Sequence, residues 1–245
     1  MNVKKHIPNF ITSLNLLSGC FAIICFFEGQ YEIGVILVLS ALIFDFLDGF
    51  VARLLNVKSE IGKQLDSLAD MVTFGVVPGV ILFMAFEKSS VPFSNSNTLH
   101  LVLSNLKYSG FIVTVFSAIR LAKFNIDKRQ TSSFIGLPTP ANTIVILTIP
   151  LIWIFAENES FSSLIIQNYL VLISTTILLS YLLIAEIPLL SLKFKDYSWQ
   201  NNKEKYVLLI SSAALLFLFS FLASVFIIFL YLIISIINNL SKAKK

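Results

Sequence analysis

Charged residues are scarce in this chain: Asp, Glu, Lys and Arg together make up 13% of its 245 residues, whereas apolar residues make up 56%. The mean hydropathy of +0.85 is far above that of a soluble globular protein, and the apolar residues occur in long runs. The composition therefore excludes a soluble globular protein. It predicts an all-α, polytopic transmembrane helical bundle that forms one domain over residues 1–245.

Cysteine and histidine are also scarce, with two residues of each. Cys20 and Cys25 lie five residues apart in the first apolar run, on different faces of a helix, so we expect no disulfide between them. His6 and His100 have no partner that suggests a metal or catalytic site. No small-residue cleavage site follows the basic start of the chain, so we expect the first helix to be retained.

The basic residues do not form a nucleic-acid-binding patch. The net charge is +4 and the pI is near 9.0, but the lysines and arginines are scattered through short loops. This distribution predicts contact with anionic lipid head groups and helps to set the membrane topology. We therefore expect membrane lipids, and no nucleic acid, as partners.

The apolar runs predict about eight membrane-spanning helices. The last run, 206–238, would be roughly 50 Å long as one helix against a hydrocarbon core of about 30 Å. We therefore expect two short helices there, with a turn near Phe219 to Ser224. The predicted spans are 10–28, 31–54, 63–86, 106–124, 141–156, 167–187 and the two halves of 206–238.

Four aspartates interrupt this apolar background between residues 45 and 70. An isolated carboxylate in a bilayer costs at least about 2.5–3.5 kcal/mol on insertion scales, so such residues usually face a cavity, a partner or an ion. Residues of a helix are turned by about 100° from one to the next, so each of two sets of residues in this stretch lies on one face of its own helix. These sets are Asp45, Asp48, Gly49 and Ala52, with Arg53 at their edge, and Gly62, Asp66 and Asp70 on the next helix.

A turn between the two helices would bring the four carboxylates together at one membrane face. Carboxylate oxygens suit Mg²⁺ or Mn²⁺, and four carboxylates exceed what one ordinary Mg²⁺ site needs. We therefore expect a site for two divalent cations, Mg²⁺ or Mn²⁺. The two glycines and the alanine leave one wall of this site without side chains, so a ligand can approach the backbone.

Residues 45–70 resemble the signature of the CDP-alcohol phosphatidyltransferase family, D-x2-D-G-x2-A-R-x8-G-x3-D-x3-D, and match it at every fixed position. We assign Asp45, Asp48 and Asp66 as metal ligands, with Asp70 completing the shell of the second metal. The resemblance implies that Asp70 is also the general base. Because the positive-inside rule puts the cluster at the cytoplasmic end of its helices, we expect a membrane bundle with a polar cavity open to the cytoplasm.

Two shorter segments extend this resemblance. Pro8, Asn9 and Thr12 are similar to the P-N-x2-T segment that precedes the first helix in this family and contacts the CDP-lipid. The segment Arg120-Leu-Ala-Lys123-Phe-Asn125 resembles the branch of the family that makes phosphatidylserine. Lys123 departs from that pattern, in which arginine is more frequent; the charge is kept but the bidentate guanidinium is lost.

The resemblance implies a transferase that joins the phosphatidyl group of CDP-diacylglycerol to L-serine, releasing CMP. Arg120 and Lys123 are the candidates for binding the serine carboxylate or a lipid phosphate. The resemblance is compatible with a homodimer in the cytoplasmic membrane. The residues expected to contact the CDP-lipid are Pro8, Asn9, Thr12, Gly49, Ala52, Arg53, Ser59 and Gly62.

Three alternative functions remain open from the sequence. Within the same family, the acceptor can instead be glycerol 3-phosphate or inositol phosphate, which gives a phosphatidylglycerophosphate or phosphatidylinositol phosphate synthase. A cation-coupled transporter also places aspartates in the membrane. Against a transporter stand the absence of a detectable internal repeat and the position of the four aspartates at one face. A structural scaffold does not account for four carboxylates within the membrane.

The membrane topology gives the first testable prediction. With eight spans, both termini lie on one side, together with every basic residue except Lys88 and Lys107, and the positive-inside rule makes that side cytoplasmic. Single cysteines in a background without Cys20 and Cys25 should be protected from an external, membrane-impermeant reagent at the cytoplasmic positions, and Lys88 should be labelled. External labelling at position 244 would show that 206–238 is a single span. The cytoplasmic test positions are Lys4, Lys58, Lys128, Lys203 and Lys244.

Overall fold

The computed structural model describes residues 6–57, 59–89, 105–127, 129, 135–156, 168–190, 198–200 and 202–243. Within these ranges the chain is helical, and the predicted all-α fold is confirmed. Five of its helical segments are long and apolar enough to cross a membrane. Four of the labelling positions, Lys4, Lys58, Lys128 and Lys244, lie outside the described residues.

Most helices follow the predicted spans with small differences at their ends, but the predicted span 141–156 is divided at Leu147 into two short helices. The second helix has the predicted bounds, and the third begins three residues earlier than predicted because Ser59 caps it. The helices are α1 (His6–Phe27), α2 (Tyr31–Leu54), α3 (Glu60–Asp70), α4 (Val77–Lys88), α5 (Ile112–Ile126), α6 (Thr139–Ile146), α7 (Thr148–Phe155), α8 (Tyr169–Ile184), α9 (Lys203–Phe219) and α10 (Ala223–Ala243). Short 3-10 turns, Leu106–Phe111 and Ser220–Leu222, precede α5 and α10.

Small and polar residues line the buried face of α1. Thr12, Asn15, Ser18, Gly19 and Ala22 recur at helical spacing on that face. Such residues let helices approach closely inside a membrane and supply hydrogen bonds between them. α1 packs against both α2 and α3, whereas α2 and α3 make little direct contact with each other. The gap between the two aspartate-bearing helices is therefore held open by α1.

A π-helical segment, Met71–Val76, joins α3 to α4 in one continuous helical rod. Pro78 follows it and has no N–H to donate to the carbonyl of Phe74 four residues earlier. The hydroxyl of Thr143 lies 3.2 Å from that carbonyl, and the hydroxyl of Thr114 donates to the next one, Gly75, at 2.8 Å. Side chains from α6 and α5 therefore satisfy backbone groups that the irregular helix leaves available.

α4 forms the centre of the bundle. Its residues from Val77 to Leu82 are all buried, as are Met84, Ala85 and Phe86. A helix that is apolar all round is expected in the interior of a bundle, where it contacts protein on every side. The apolar core beside α4 includes Trp153 of α7 and Leu183 of α8. The aspartates of α2 and α3 thus lie at one end of a rigid apolar core.

The last apolar run is divided at Ser220, as predicted. Ser220 adopts a positive φ of 50°, and α9 and α10 on either side of it pack against each other. The rings of Phe219 and Phe226 meet across the turn with centroids 4.8 Å apart. In an apolar 18-residue window of Lys203–Ser241 the bundle buries 11% of the residues, so this surface is available to lipid. The two-helix interpretation of this run is confirmed, and the eight-span topology stays a prediction.

The segment before α6 pairs with the end of α8. The N–H of Gly136 donates to the carbonyl of Ile187 at 3.0 Å, and the N–H of Leu137 donates to that of Leu182 at 2.8 Å. Gly136 has a φ of 75°, a conformation that L side chains rarely adopt. A Cβ at this position would lie 2.7 Å from the carbonyl oxygen of Leu183. Glycine is therefore required here by both conformation and space.

Gly29 provides a matched control for Gly136, since it has the same φ of 75° but open space around its Cα. Gly29→Ala should cost about 1–2 kcal/mol from the left-handed backbone alone. Gly136→Ala should add an overpacking cost of about 1–3 kcal/mol. Thermal unfolding of both variants in detergent should therefore show the larger loss of Tm in Gly136→Ala. Equal losses would contradict the close packing described here.

Candidate active site

Three of the four predicted carboxylates converge on one point. Asp45, Asp48 and Asp66 each offer an oxygen, and these oxygens lie within 4.8 Å of one another. The carboxyl group of Asp70 contacts that of Asp45. Asp48 and Asp70 are buried, whereas Asp45 and Asp66 are half-buried. An all-oxygen, all-anionic donor set of this kind fits a hard divalent cation and leaves the carboxylates uncompensated without one.

α1 supplies hydrogen-bond donors to both aspartate-bearing helices. The hydroxyl of Thr12 donates to Oδ2 of Asp48 at 2.5 Å, and Nδ2 of Asn15 donates to Oδ1 of Asp70 at 3.3 Å. The hydroxyl of Thr73, in the π-helical segment, donates to the backbone carbonyl of Asn15 at 3.2 Å. These contacts fix the two buried carboxylates relative to each other across the gap between α2 and α3.

A cavity of about 320 Å³ opens beside the carboxylates; we call it the first cavity. Asp48 and Asp66 form part of its wall, so a ligand in the cavity reaches the cluster directly. Seven of the residues predicted to contact the CDP-lipid line it. They are Pro8, Asn9, Thr12, Gly49, Ala52, Ser59 and Gly62.

The small residues of the first cavity serve two different purposes. A Cβ at Gly49 would have the Arg53 guanidinium, 3.6 Å away, as its nearest neighbour, so this glycine leaves free space on the cavity wall. A Cβ at Gly62 would lie 2.7 Å from Oδ1 of Asn9, so this glycine makes room for a side chain of α1. The hydroxyl of Ser59 accepts the N–H of Gly62 at 3.1 Å and thereby caps α3.

Arg53 is the predicted CDP-lipid contact that does not line the first cavity. Its side chain is exposed at the end of α2, beside Gly49. Helical spacing places it at the edge of the aspartate face, as expected. The structure therefore puts the Arg53 guanidinium next to the cavity and not in its wall.

A second cavity of about 310 Å³ lies at the ends of α5 and α8, and it contains both predicted cations, Arg120 and Lys123. Arg120 is buried and lies within range of a charge interaction with the carboxylate of Asp70. The second cavity is therefore electrostatically connected to the aspartate cluster. Its other lining residues are Ile126, Asp127, Arg129, Ile135, Leu183, Ile184 and Glu186.

Two hydrogen bonds attach the end of α5 to α3. Lys63, which lines the first cavity, donates to the backbone carbonyl of Asn125 at 3.1 Å. The side-chain amide of Asn125 donates to the hydroxyl of Ser67 at 2.8 Å. The end of α5, which contributes to the second cavity, is thereby held against α3, which carries Asp66 and Asp70.

Sequence reasoning missed the acidic residues of the second cavity and left the role of Asn15 open. Asp127 and Glu186 are far apart in the chain and belong to no motif, so their proximity to Arg120 becomes visible only in the folded protein. The sequence did contain a pattern from which the role of Asn15 could have been predicted. It lies one turn after Thr12 on α1, on the face that carries the other buried polar residues.

The architecture and the carboxylate cluster define a polytopic membrane protein with a site suited to metal-assisted phosphate chemistry. A family model, that of the CDP-alcohol phosphatidyltransferases, matches residues 5–182. The chain belongs to the CDP-alcohol phosphatidyltransferase family. It is thus a membrane-bound transferase of phospholipid biosynthesis.

Curated relatives show the same likeness over most of the chain. A CDP-diacylglycerol–serine O-phosphatidyltransferase of Helicobacter pylori is 31% identical over 233 residues, which cover 94% of this chain and 90% of the relative. The enzyme of that name from Bacillus subtilis is 35% identical over 136 residues, 56% of this chain and 70% of the relative. The one from Methanocaldococcus jannaschii is 32% identical over 182 residues, 74% and 72% respectively.

The hydrogen bond from Thr12 gives a prediction for metal binding. Removing a partner that orients a metal ligand typically costs about 10–100-fold in metal affinity. Thr12→Val should therefore weaken Mn²⁺ binding by about tenfold or more, as measured by electron paramagnetic resonance on the purified protein. Thr176→Val is the matched control, because the buried Thr176 hydroxyl donates to Leu172 of its own helix. Equal Mn²⁺ affinities in the two variants would contradict an orienting role for Thr12.

Proposed function

We propose that this protein transfers the phosphatidyl group of CDP-diacylglycerol to the hydroxyl of L-serine, giving phosphatidylserine and CMP. The observation that carries the proposal is the carboxylate cluster: Asp48 and Asp66 line the first cavity, and Asp70 lies within range of a charge interaction with Arg120 of the second cavity. The names of the three relatives support serine as the acceptor. In this proposal residues 1–245 work as a single domain.

The first cavity is the proposed binding site for the CDP-lipid. Its wall of small residues suits a flat nucleotide, and the carboxylates at its inner end suit a metal-bound pyrophosphate. Arg53, which is exposed beside Gly49, is placed to bind a phosphate at the entrance. The residues proposed to contact the CDP-lipid are Pro8, Asn9, Thr12, Gly49, Ala52, Arg53, Ser59 and Gly62.

The carboxylate cluster would hold two divalent cations, Mg²⁺ or Mn²⁺. Asp45, Asp48 and Asp66 are the proposed ligands at the point where their oxygens converge, and Asp70 completes the shell of the second ion. When bound, the ions neutralise the charge that grows on the leaving phosphate oxygen. Thr12 and Asn15 keep Asp48 and Asp70 in orientation throughout.

Asp70 is the proposed general base. A serine hydroxyl is a weak nucleophile until a base takes its proton. Asp70 is buried beside Asp45 and within range of a charge interaction with Arg120, which lines the second cavity. As the serine oxygen bonds to the phosphorus that bears diacylglycerol, its proton passes to Asp70 and the bond from phosphorus to the CMP oxygen breaks.

The second cavity is the proposed serine site. Arg120 and Lys123 would bind the serine carboxylate. We also propose that the active site and both termini face the cytoplasm, because this orientation gives a water-soluble acceptor access to the site and follows the distribution of basic residues. The membrane is then the cytoplasmic membrane, and the homodimer stays a prediction.

An acceptor panel tests the proposed function. Purified protein would be given CDP-diacylglycerol and Mn²⁺ or Mg²⁺, with L-serine, glycerol 3-phosphate or inositol phosphate in turn. We expect CMP release and phosphatidylserine formation with serine, and neither in excess EDTA. Preferential use of one of the phosphorylated acceptors would replace the serine assignment by another activity of the family. Full activity in EDTA would refute the metal site.

Replacement of Asp70 should produce a different defect from replacement of Asp45. General bases typically contribute about 10²–10⁴-fold to rate, so Asp70→Asn should lower turnover at saturating serine by that order. Asp45 shares its helix with the first-cavity residue Gly49, so Asp45→Asn should also weaken CDP-diacylglycerol binding, as measured by titration in Mn²⁺. Near-normal turnover of Asp70→Asn, or an equal binding loss in both variants, would show that Asp70 is not the base.

A further inference from the structure

The second cavity contains side chains of both charges. Arg120, Lys123 and Arg129 contribute cations, and Asp127 and Glu186 contribute anions. A cavity that received only a phosphate dianion would gain nothing from the two carboxylates, because like charges repel. Mixed charge instead suits a ligand that itself carries both signs.

Arg120 provides an unsatisfied cationic donor in this cavity. Its residue is 7% exposed, and its Nε has no hydrogen-bond partner among the residues that the structure describes. Its guanidinium lies over the ring of Phe124, 5.2 Å from the centroid, which leaves its edge available for an anion. A buried donor without a partner is costly, so the geometry favours an anionic ligand at this position.

The two carboxylates of the second cavity differ in how much hydrogen-bonding capacity they retain. Arg129 occupies both oxygens of Asp127: its backbone N–H and Nε donate to Oδ1 at 2.9 and 3.0 Å, and Nη2 donates to Oδ2 at 2.9 Å. These hydrogen bonds raise the pKa of the Arg129 guanidinium above its ordinary value, so that it stays cationic. Glu186 receives one hydrogen bond, from Nη2 of Arg129 to Oε2 at 3.2 Å. Within the described part of the chain, its Oε1 has no partner.

The backbone around Glu186 is held in place. It follows α8 in the segment whose next residue, Ile187, accepts the N–H of Gly136. The positive φ of Gly136 allows this close approach. The Glu186 carboxylate forms an ion pair with Arg129, which follows α5 in the chain. Glu186, whose side chain is 61% exposed, thus presents its carboxylate at the outer edge of a cavity that the buried Arg120 also lines.

We propose that Glu186 binds the ammonium group of a zwitterionic amino-acid acceptor whose carboxylate is bound by Arg120, with Arg129 as the positioning residue for Glu186. This inference rests on the proposed function and extends it to the basis of acceptor choice. Glu186 favours an acceptor with a cationic group next to the reacting hydroxyl. It disfavours acceptors whose charge is entirely negative, such as glycerol 3-phosphate.

The test compares serine with glycerate, which carries a hydroxyl in place of the ammonium group, in the purified protein with CDP-diacylglycerol and Mn²⁺. Loss of a hydrogen bond between charged groups should raise the KM for serine in Glu186→Gln by about tenfold. The rate at saturating serine should change little. The preference for serine over glycerate should fall by the same factor, and Glu186→Asp should restore part of it.

Two controls separate recognition from folding. Glu204→Gln removes an exposed carboxylate of α9 that does not line the second cavity, and it should leave the KM for serine unchanged. CDP-diacylglycerol affinity should be normal in Glu186→Gln, because the first cavity is untouched. An equal loss of activity toward serine and glycerate would show a structural role for Glu186.

The outcomes also separate this inference from the proposed function. If the wild-type protein releases CMP in response to serine and Glu186→Gln keeps a normal KM, the ammonium assignment is overturned and the proposed function stands. If the wild-type protein does not respond to serine, both are overturned. A tenfold loss of serine preference confined to the Glu186 variants supports the ammonium assignment.

Discussion

The cost of placing carboxylates among apolar helices governs the arrangement of this protein. Four aspartates are brought to one end of a bundle whose central helix, α4, is apolar from Val77 to Phe86. They are tolerated there because α1 donates hydrogen bonds to Asp48 and Asp70, and because their oxygens converge in a way that a divalent cation can neutralise. The buried face of α1 is polar for this reason, and its contacts with both α2 and α3 keep a ligand-sized gap between those helices.

Much of the site could be predicted because charged residues stand out in a membrane-spanning sequence. The period of a helix already placed Asp45, Asp48, Asp66 and Asp70 on facing surfaces, and the structure brings the first three to one point with Asp70 against Asp45. The length of the last apolar run required a break, which occurs at Ser220 although neither glycine nor proline marks it. A carboxylate among apolar helices and a helix much longer than the hydrocarbon core both carry a large free-energy cost. Few structures avoid these costs, so a local sequence pattern was sufficient to predict the cluster and the break.

The remaining features depend on contacts between distant segments, which no local pattern records. The π-helical segment after Asp70 is supported by Thr114 and Thr143 from two other helices. Pro78 signals an irregularity but does not specify which residues will satisfy the freed carbonyl. The acidic side of the second cavity likewise requires Glu186 to meet Arg129 across the fold. In the sequence, each member of such a pair looks like an ordinary surface charge. Its role becomes visible only when the fold places both members in one cavity.

The separation of the two cavities affects the order in which substrates can bind and products can leave. Within the described residues the cavities have no lining residue in common, and Lys63 of the first cavity donates a hydrogen bond to the carbonyl of Asn125 near the end of α5. A ligand in one cavity therefore does not obstruct the other. Under the proposed function, nucleotide-lipid and amino acid can occupy the protein together, and CMP can depart while the new lipid is still in place. Such a geometry suits direct transfer within a ternary complex, and it requires no phosphatidylated enzyme as an intermediate.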